Sequence, residues 1–205
     1  MDGTVLDLAF DNHFWLGVVP TAYGERRGLS GERAWSELKP RFDRVAGQLD
    51  WYCIDYWSAE LGLDLRALKH AHRHLIGYLP GAVGFLERAR STGRRLVIVT
   101  NAHPDVLEIK LRQTRLDRFV DAIVSSHRIG VAKEDPRFWP NLAAHVDYAQ
   151  GSSVLIDDSV AVVGTASAQG IESVLIRRPD SQQARREVGA RAAIDGLGDL
   201  IDTLA

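Results

Sequence analysis

Four short apolar runs constrain this chain more than anything else in it: "RLVIVTN" (95–101), "FVDAIVSS" (119–126), "SVLIDDS" (153–159) and "ESVLIRRP" (172–179). Each is rich in Val and Ile, shows no polar alternation and is too short for a helix, so each reads as a buried strand. Between them stand helical patterns, "PGAVGFLERARSTG", "HPDVLEIKLRQTRL", "DPRFWPNLAAHV" and "AVVGTASAQG". The second of these has a proline at its entry, where a missing N–H costs nothing. Fully apolar strands alternating with helices predict an α/β fold, a Rossmann-like parallel sheet covered on both faces. After Pro179 follow an Arg-rich connector and a predicted terminal helix, "IDGLGDLIDTL".

Upstream of Pro80 the texture differs. Residues 8–78 hold four of the five tryptophans and read as helix after helix, with Ser30 a plausible N-cap. The helical texture of residues 8–78 thus gives way to an α/β pattern from about residue 79. Apolar content of 45% suits a buried core, and a net charge of −2 gives no basic field to recommend nucleic acid. No apolar run approaches the roughly 18 residues of a membrane span, and no signal-peptide pattern is seen. The single cysteine, Cys53, fits a reducing cytoplasm. The chain has 21 Arg and 4 Lys, so a lysine at a suggestive position carries more information than usual.

Chemistry in open parallel sheets gathers at the carboxyl ends of strands. Those ends here carry Thr100-Asn101, Lys133 in the loop after the second strand, and Asp157-Asp158-Ser159; Asp2-Gly3-Thr4 opens the chain. Taken singly, each has a plain alternative: a satisfied turn at Thr100-Asn101, a solvated Lys133, a helix cap at Asp157 or Asp158. Together they are what a phosphate and a hard divalent cation require. Mg²⁺ takes carboxylate, carbonyl and phosphate oxygens, while hydroxyl, amide and ammonium donors neutralise a phosphoryl group.

The same set, in the same order, resembles the haloacid dehalogenase-like hydrolases, whose motifs read hhhhDxDGT, hhhT/S-N, K and hhhhDD. Here they stand as "MDGTVLD", "VIVTN", "VAKEDP" and "VLIDD". The stretches "MDGTVLDLAFDNHFW", "DWYCIDYWSAELGLD", "VTNAHP" and "KEDPRFW" are similar to the GMP/IMP 5′-nucleotidase branch of that family. The resemblance implies that residues 1–7 belong with 79–205 in one α/β core, that residues 8–78 are a cap inserted in it, and that the cofactor is Mg²⁺. It implies Asp2 as general acid/base, Lys133 on the phosphate and nucleophile, and Thr100 and Asn101 on the phosphate. Metal would be held by Asp158 with Asp157 and by the Asp2 carbonyl. It implies hydrolysis of a small phosphate ester through an aspartyl-phosphate, in a monomer or weak homo-oligomer. Asp2 itself separates esterases from dehalogenases, since a leaving halide needs no proton.

One departure stands out. The family's nucleophile is the first Asp of DxDGT, two residues before Asp2, and the strand before it is central to the sheet; both would precede Met1. The first core strand is thus absent, and the chain as written is expected to be inactive and poorly folded. In "DWYCIDYW", Tyr52 and Tyr56 would share one helix face, and Trp51 and Asp55 the next. Trp51 is a candidate to stack on a purine and Asp55 to accept its N–H groups, although for any one of these aromatic residues core packing is the plainer reading. His13, His103 and "NHFW" are expected at the surface or the pocket. Two rival readings stand beside the nucleotidase. One is a phosphatase for phosphoglycolate or a sugar phosphate; the other is a non-catalytic phosphate or nucleotide binder.

Overall fold

The computed structural model describes residues 1–204. The four predicted strands are β1 (Val97–Thr100), β2 (Ala122–Ser125), β3 (Val154–Asp157) and β4 (Glu172–Ile176). They are joined by a short fifth, β5 (Ala193–Ile194). All pairings are parallel: Val97 stands opposite Ala122, Val154 opposite Glu172, and Leu175 opposite Ala193. Helices cross between partners, α7 (Pro104–Thr114) between β1 and β2 and α10 (Val160–Ala168) between β3 and β4. That alternation is what non-alternating apolar strands require, since both faces must be covered.

The strands form two sheets, β1–β2 and β3–β4–β5. Residues 1–6, where the family pattern would end a strand, form a tight turn instead, with the Met1 carbonyl accepting from Thr4, Val5 and Leu6. The two sheets share apolar layers. Ile98 of β1 and Ile156 of β3 belong to one cluster, with α6 (Ala82–Ser91). Val97, Val99 and Leu155 belong to another, with Phe138, Trp139 and Val162. Alternate residues of each strand thus feed opposite layers.

Residues 9–71 supply α1 (Ala9–His13), α2 (Val19–Arg27), α3 (Gly31–Val45), α4 (Ile54–Leu61) and α5 (Leu65–Ala71). A π-helical turn, Phe14–Val18, joins the first two. Ser30 caps α3 by accepting from the Arg33 N–H. These helices bury their own cluster, Phe14, Tyr23, Leu38, Phe42, Trp57 and Leu65 among it, joined by Val106 of α7. Among the described residues, no helix is long and apolar enough to cross a membrane.

Three local expectations change. The helix expected over 135–146 is only α9 (Phe138–Leu142), because the Asp135 carboxylate closes a turn on the Arg137 N–H and delays its start. A four-residue helix, α8 (Ser126–Ile129), follows β2 directly. The terminal helix becomes β5 followed by a 3₁₀ run, Leu197–Thr203, consistent with Gly196 and Gly198, which disfavour an α-helix.

Candidate active site

The strand ends do converge. Thr100 and Asn101, at the end of β1, are buried, as are Lys133 and Asp157. The Thr100 hydroxyl accepts from the Ala102 N–H at 3.1 Å, which orients it at the strand-to-helix turn. Asn101 Oδ1 accepts from the Lys133 N–H at 2.9 Å, so the first strand end holds the lysine loop in place. Lys133 Nζ ion-pairs with Asp157. Burial alone would lower the lysine pKa and raise the carboxyl pKa; their mutual attraction outweighs it in both, leaving both charged.

Asp158 is different. Burial, then the neighbouring Asp157 charge, push its pKa up to about 6. Its carboxylate lies against Gly3, where an added Cβ would meet Asp158 Cγ at 2.5 Å and where φ is +72°. Only glycine permits both the turn and this approach. The Asp2-Gly3-Thr4 turn is thereby seated on the carboxylate pair. Asp2 Oδ1 lies 2.7 Å from Lys110 Nζ, an ion contact without hydrogen-bond alignment, which leaves that buried oxygen without an aligned donor. Asp158 forms no ion pair among the described residues, although the N-terminus, Lys133 and Arg186 act on it from nearby; Asp157, Asp158 and the Asp2 carbonyl are an oxygen set that would suit a divalent metal.

Sequence reading does not reach Asp11, Lys69, Lys110 or Glu134. Lys110, almost wholly buried, bridges Asp2 and Asp11, with the second contact at 2.6 Å. Lys69 reaches Asp11 at 2.9 Å and stands 4.1 Å over the Phe14 ring. Burial pushes the Asp11 carboxyl up, but the two lysines outweigh it and hold it well below the usual carboxylate range. Burial lowers the Lys69 pKa despite Asp11, whereas at Lys110 the two carboxylates prevail and raise it. The scarcity of lysine was the available signal. All four lysines, Lys39, Lys69, Lys110 and Lys133, line one cavity of about 510 Å³, and none of the 21 arginines does.

The far wall of that cavity is aromatic, with Trp15, Trp35, Phe42, Trp51 and Tyr52. Trp15 and Trp51 are near-parallel, 6.2 Å apart. Tyr52 donates to Glu134 Oε1 at 2.6 Å, and Asn101 donates to Oε2 of the same carboxylate at 2.8 Å. The continuous helix expected through "DWYCIDYW" does not form. Leu49–Tyr52 is a 3₁₀ turn, Cys53 is extended, and α4 begins at Ile54. That break sends Trp51 and Tyr52 to the cavity but leaves Asp55 off its wall, exposed and paired to Arg66 at 2.7 Å. His103 and Trp15 do line the cavity; His13 does not, and stands 6.0 Å from the His72 ring.

A family profile described as haloacid dehalogenase-like hydrolase matches residues 52–176. Across all of its 205 residues the chain is 36% identical to the GMP/IMP nucleotidase YrfG of Escherichia coli (strain K12) and covers 92% of that protein. It is 34% identical over 145 residues to the plasmid phosphoglycolate phosphatase of Cupriavidus necator, covering 64% of this chain and 60% of that one. The crystal structure of a HAD phosphatase from Thermococcus onnurineus superposes with a TM-score of 0.82 at 24% identity, covering all of this chain and 94% of that one.

Proposed function

Because the chain belongs to the haloacid dehalogenase-like hydrolases, we propose that it is a Mg²⁺-dependent phosphomonoesterase acting on purine nucleoside 5′-monophosphates, GMP and IMP foremost. One observation carries this reading. A single cavity joins every lysine of the chain to a wall of indole and phenyl rings, which matches a ligand with an anionic end and a flat aromatic end. The likeness to the Escherichia coli nucleotidase over the whole chain points the same way.

In this reading the phosphoryl group sits among Thr100, Asn101 and Lys133. Asp2 gives a proton to the leaving 5′-oxygen and then takes one from the attacking water. Lys110 beside Asp2 keeps that carboxylate oriented between the two roles. Bound Mg²⁺, held by Asp157, Asp158 and the Asp2 carbonyl, would neutralise charge on the phosphoryl oxygens. The helical segment 8–78 acts as the cap, and the base stacks on Trp51. Asp55, off the cavity wall, has no direct base contact in this arrangement. The attacking carboxylate, which would form an aspartyl-phosphate, belongs two positions before Asp2.

The test is a phosphate-release panel with Mg²⁺, run on the 205-residue chain and on a chain extended by an apolar strand ending in Asp two positions before Asp2. The extended chain should prefer GMP and IMP over phosphoglycolate and p-nitrophenyl phosphate, and Trp51→Ala should raise KM for the nucleotides alone. A preference for phosphoglycolate would favour the second reading, for which the Cupriavidus necator relative is the support. Tight GMP binding without turnover by both chains would overturn catalysis.

A further inference from the structure

Beside the cavity wall at His103, three side chains from three separate segments meet. Cys53 precedes α4, His103 precedes α7, and His127 lies in α8. One ligand atom from each lies within 4.8 Å of the other two, and all three residues are partly buried. The histidine rings stand edge to face, 4.9 Å apart at 75°. Cys53 is a free thiol. Most telling is His127 Nε2, which is buried and has no hydrogen-bond partner. Buried polar atoms are rarely left so, and each that is asks for an explanation.

We propose that Cys53, His103 and His127 form a site for a thiophilic divalent cation, Zn²⁺, that clamps the helical segment to the α/β core. A thiolate with two imidazoles suits zinc and offers nothing to Mg²⁺, so the chain holds two sites that select different cations. Burial, and then the neighbouring His103, lower the His127 pKa and keep its ring neutral, the form that ligates metal. His103 has little to give up. Its Nδ1 accepts a long bond of 3.3 Å from the Asp105 N–H, which is the hydrogen bond that its ring makes. A further carboxylate, Asp55, has Oδ2 3.6 Å from His103 Nε2.

On binding, Cys53 Sγ releases its proton to solvent, one Zn–S and two Zn–N bonds form, and the hydrated ion sheds water. Ligand atoms within 4.8 Å of one another suit zinc bonds of about 2.0–2.3 Å, so occupancy would tie the Cys53 loop to the two histidines and hold the segment on the core. None of the three residues is assigned a part in the phosphoryl chemistry, although His103 lines the same cavity; the proposal rests on the phosphatase reading only in using Mg²⁺ to fill the carboxylate site.

The experiment uses the 205-residue chain, stripped with chelator and dialysed against Zn²⁺ in excess Mg²⁺, which occupies the carboxylate site. Bound zinc is measured by elemental analysis, and Co²⁺ is substituted to read thiolate-to-cobalt charge-transfer absorption. One zinc per chain and that absorption band are expected. Cys53→Ser should abolish the band, and Cys53→Ser and His127→Gln should each weaken zinc binding by more than the ~10–100-fold that loss of an outer-shell partner costs. Serine is a preferred N-cap residue, so Cys53→Ser keeps the start of α4, which circular dichroism verifies. No zinc retained over Mg²⁺, no band in the parent chain, or unchanged zinc affinity in Cys53→Ser would each overturn the site.

Discussion

Asp158 is the carboxylate least suited to stand alone. Its pKa, raised to about 6 by burial and then by Asp157, compares with about 3.9 for an unperturbed Asp. A group with a raised folded-state value favours folding in its protonated form. Its contribution is complete below about pH 4 and is lost as pH rises through about 6. A divalent cation would offset that loss only where the group is ionised. Mg²⁺ is therefore expected to raise the thermal midpoint at pH 8 and to do little at pH 5. Asp158→Asn should stabilise the metal-free chain above pH 6 and remove the Mg²⁺ response; a response in that variant equal to the parent's would count against the assignment. Gly3 tests the same contact from the other side. Gly3→Ala adds a Cβ 2.5 Å from Asp158 Cγ at a positive φ, which costs about 1–2 kcal/mol in backbone strain before the clash is counted. An unfolding free energy lower by at least that amount is expected from denaturant titration.

Among the elements, the turn before α4 does most to connect the helical segment to the strand ends. Tyr52 reaches Glu134, Glu134 holds Asn101, and Asn101 holds the Lys133 backbone. Tyr52→Phe removes one hydroxyl from this relay, and a hydrogen bond to a charged acceptor contributes about 1.5–3 kcal/mol. Faster amide exchange in α4 with unchanged exchange in α10, and weaker binding of a phosphate ester, are the expected results. Unchanged exchange in α4 would refute the link. This element also marks where sequence reading stops. The β1 and β3 ends were legible because short apolar runs stop at Thr100-Asn101 and Asp157-Asp158, residue types that chemistry and turns both favour. The break at Cys53 was not, because "WYCIDYW" contains no glycine or proline and periodicity alone runs through it. Nor was Glu134, whose role depends on a tyrosine 82 positions away.

At the scale of the molecule, parallel α/β architecture followed from the strands, but the partition of positive charge did not. Lysines at 39, 69, 110 and 133 fall on α3, α5, α7 and the loop after α8, and only folding brings them to one cavity. Asp11 and Lys69, which join the helical segment to Lys110 of the core, lie outside any sequence motif because their pairing spans 58 and 99 positions. The aromatic wall has one more consequence. Trp15, Trp35, Trp51 and Trp57 belong to a single cluster, three of them facing the cavity, while Trp139 sits in the separate apolar layer behind β3. Ultraviolet light absorbed by this protein is thus collected mainly beside its ligand space, with one distant indole as a steady background. The chain carries its own dye: a purine stacked on that wall would quench the emission, and an inorganic phosphate seated at the strand ends would leave the emission nearly unchanged.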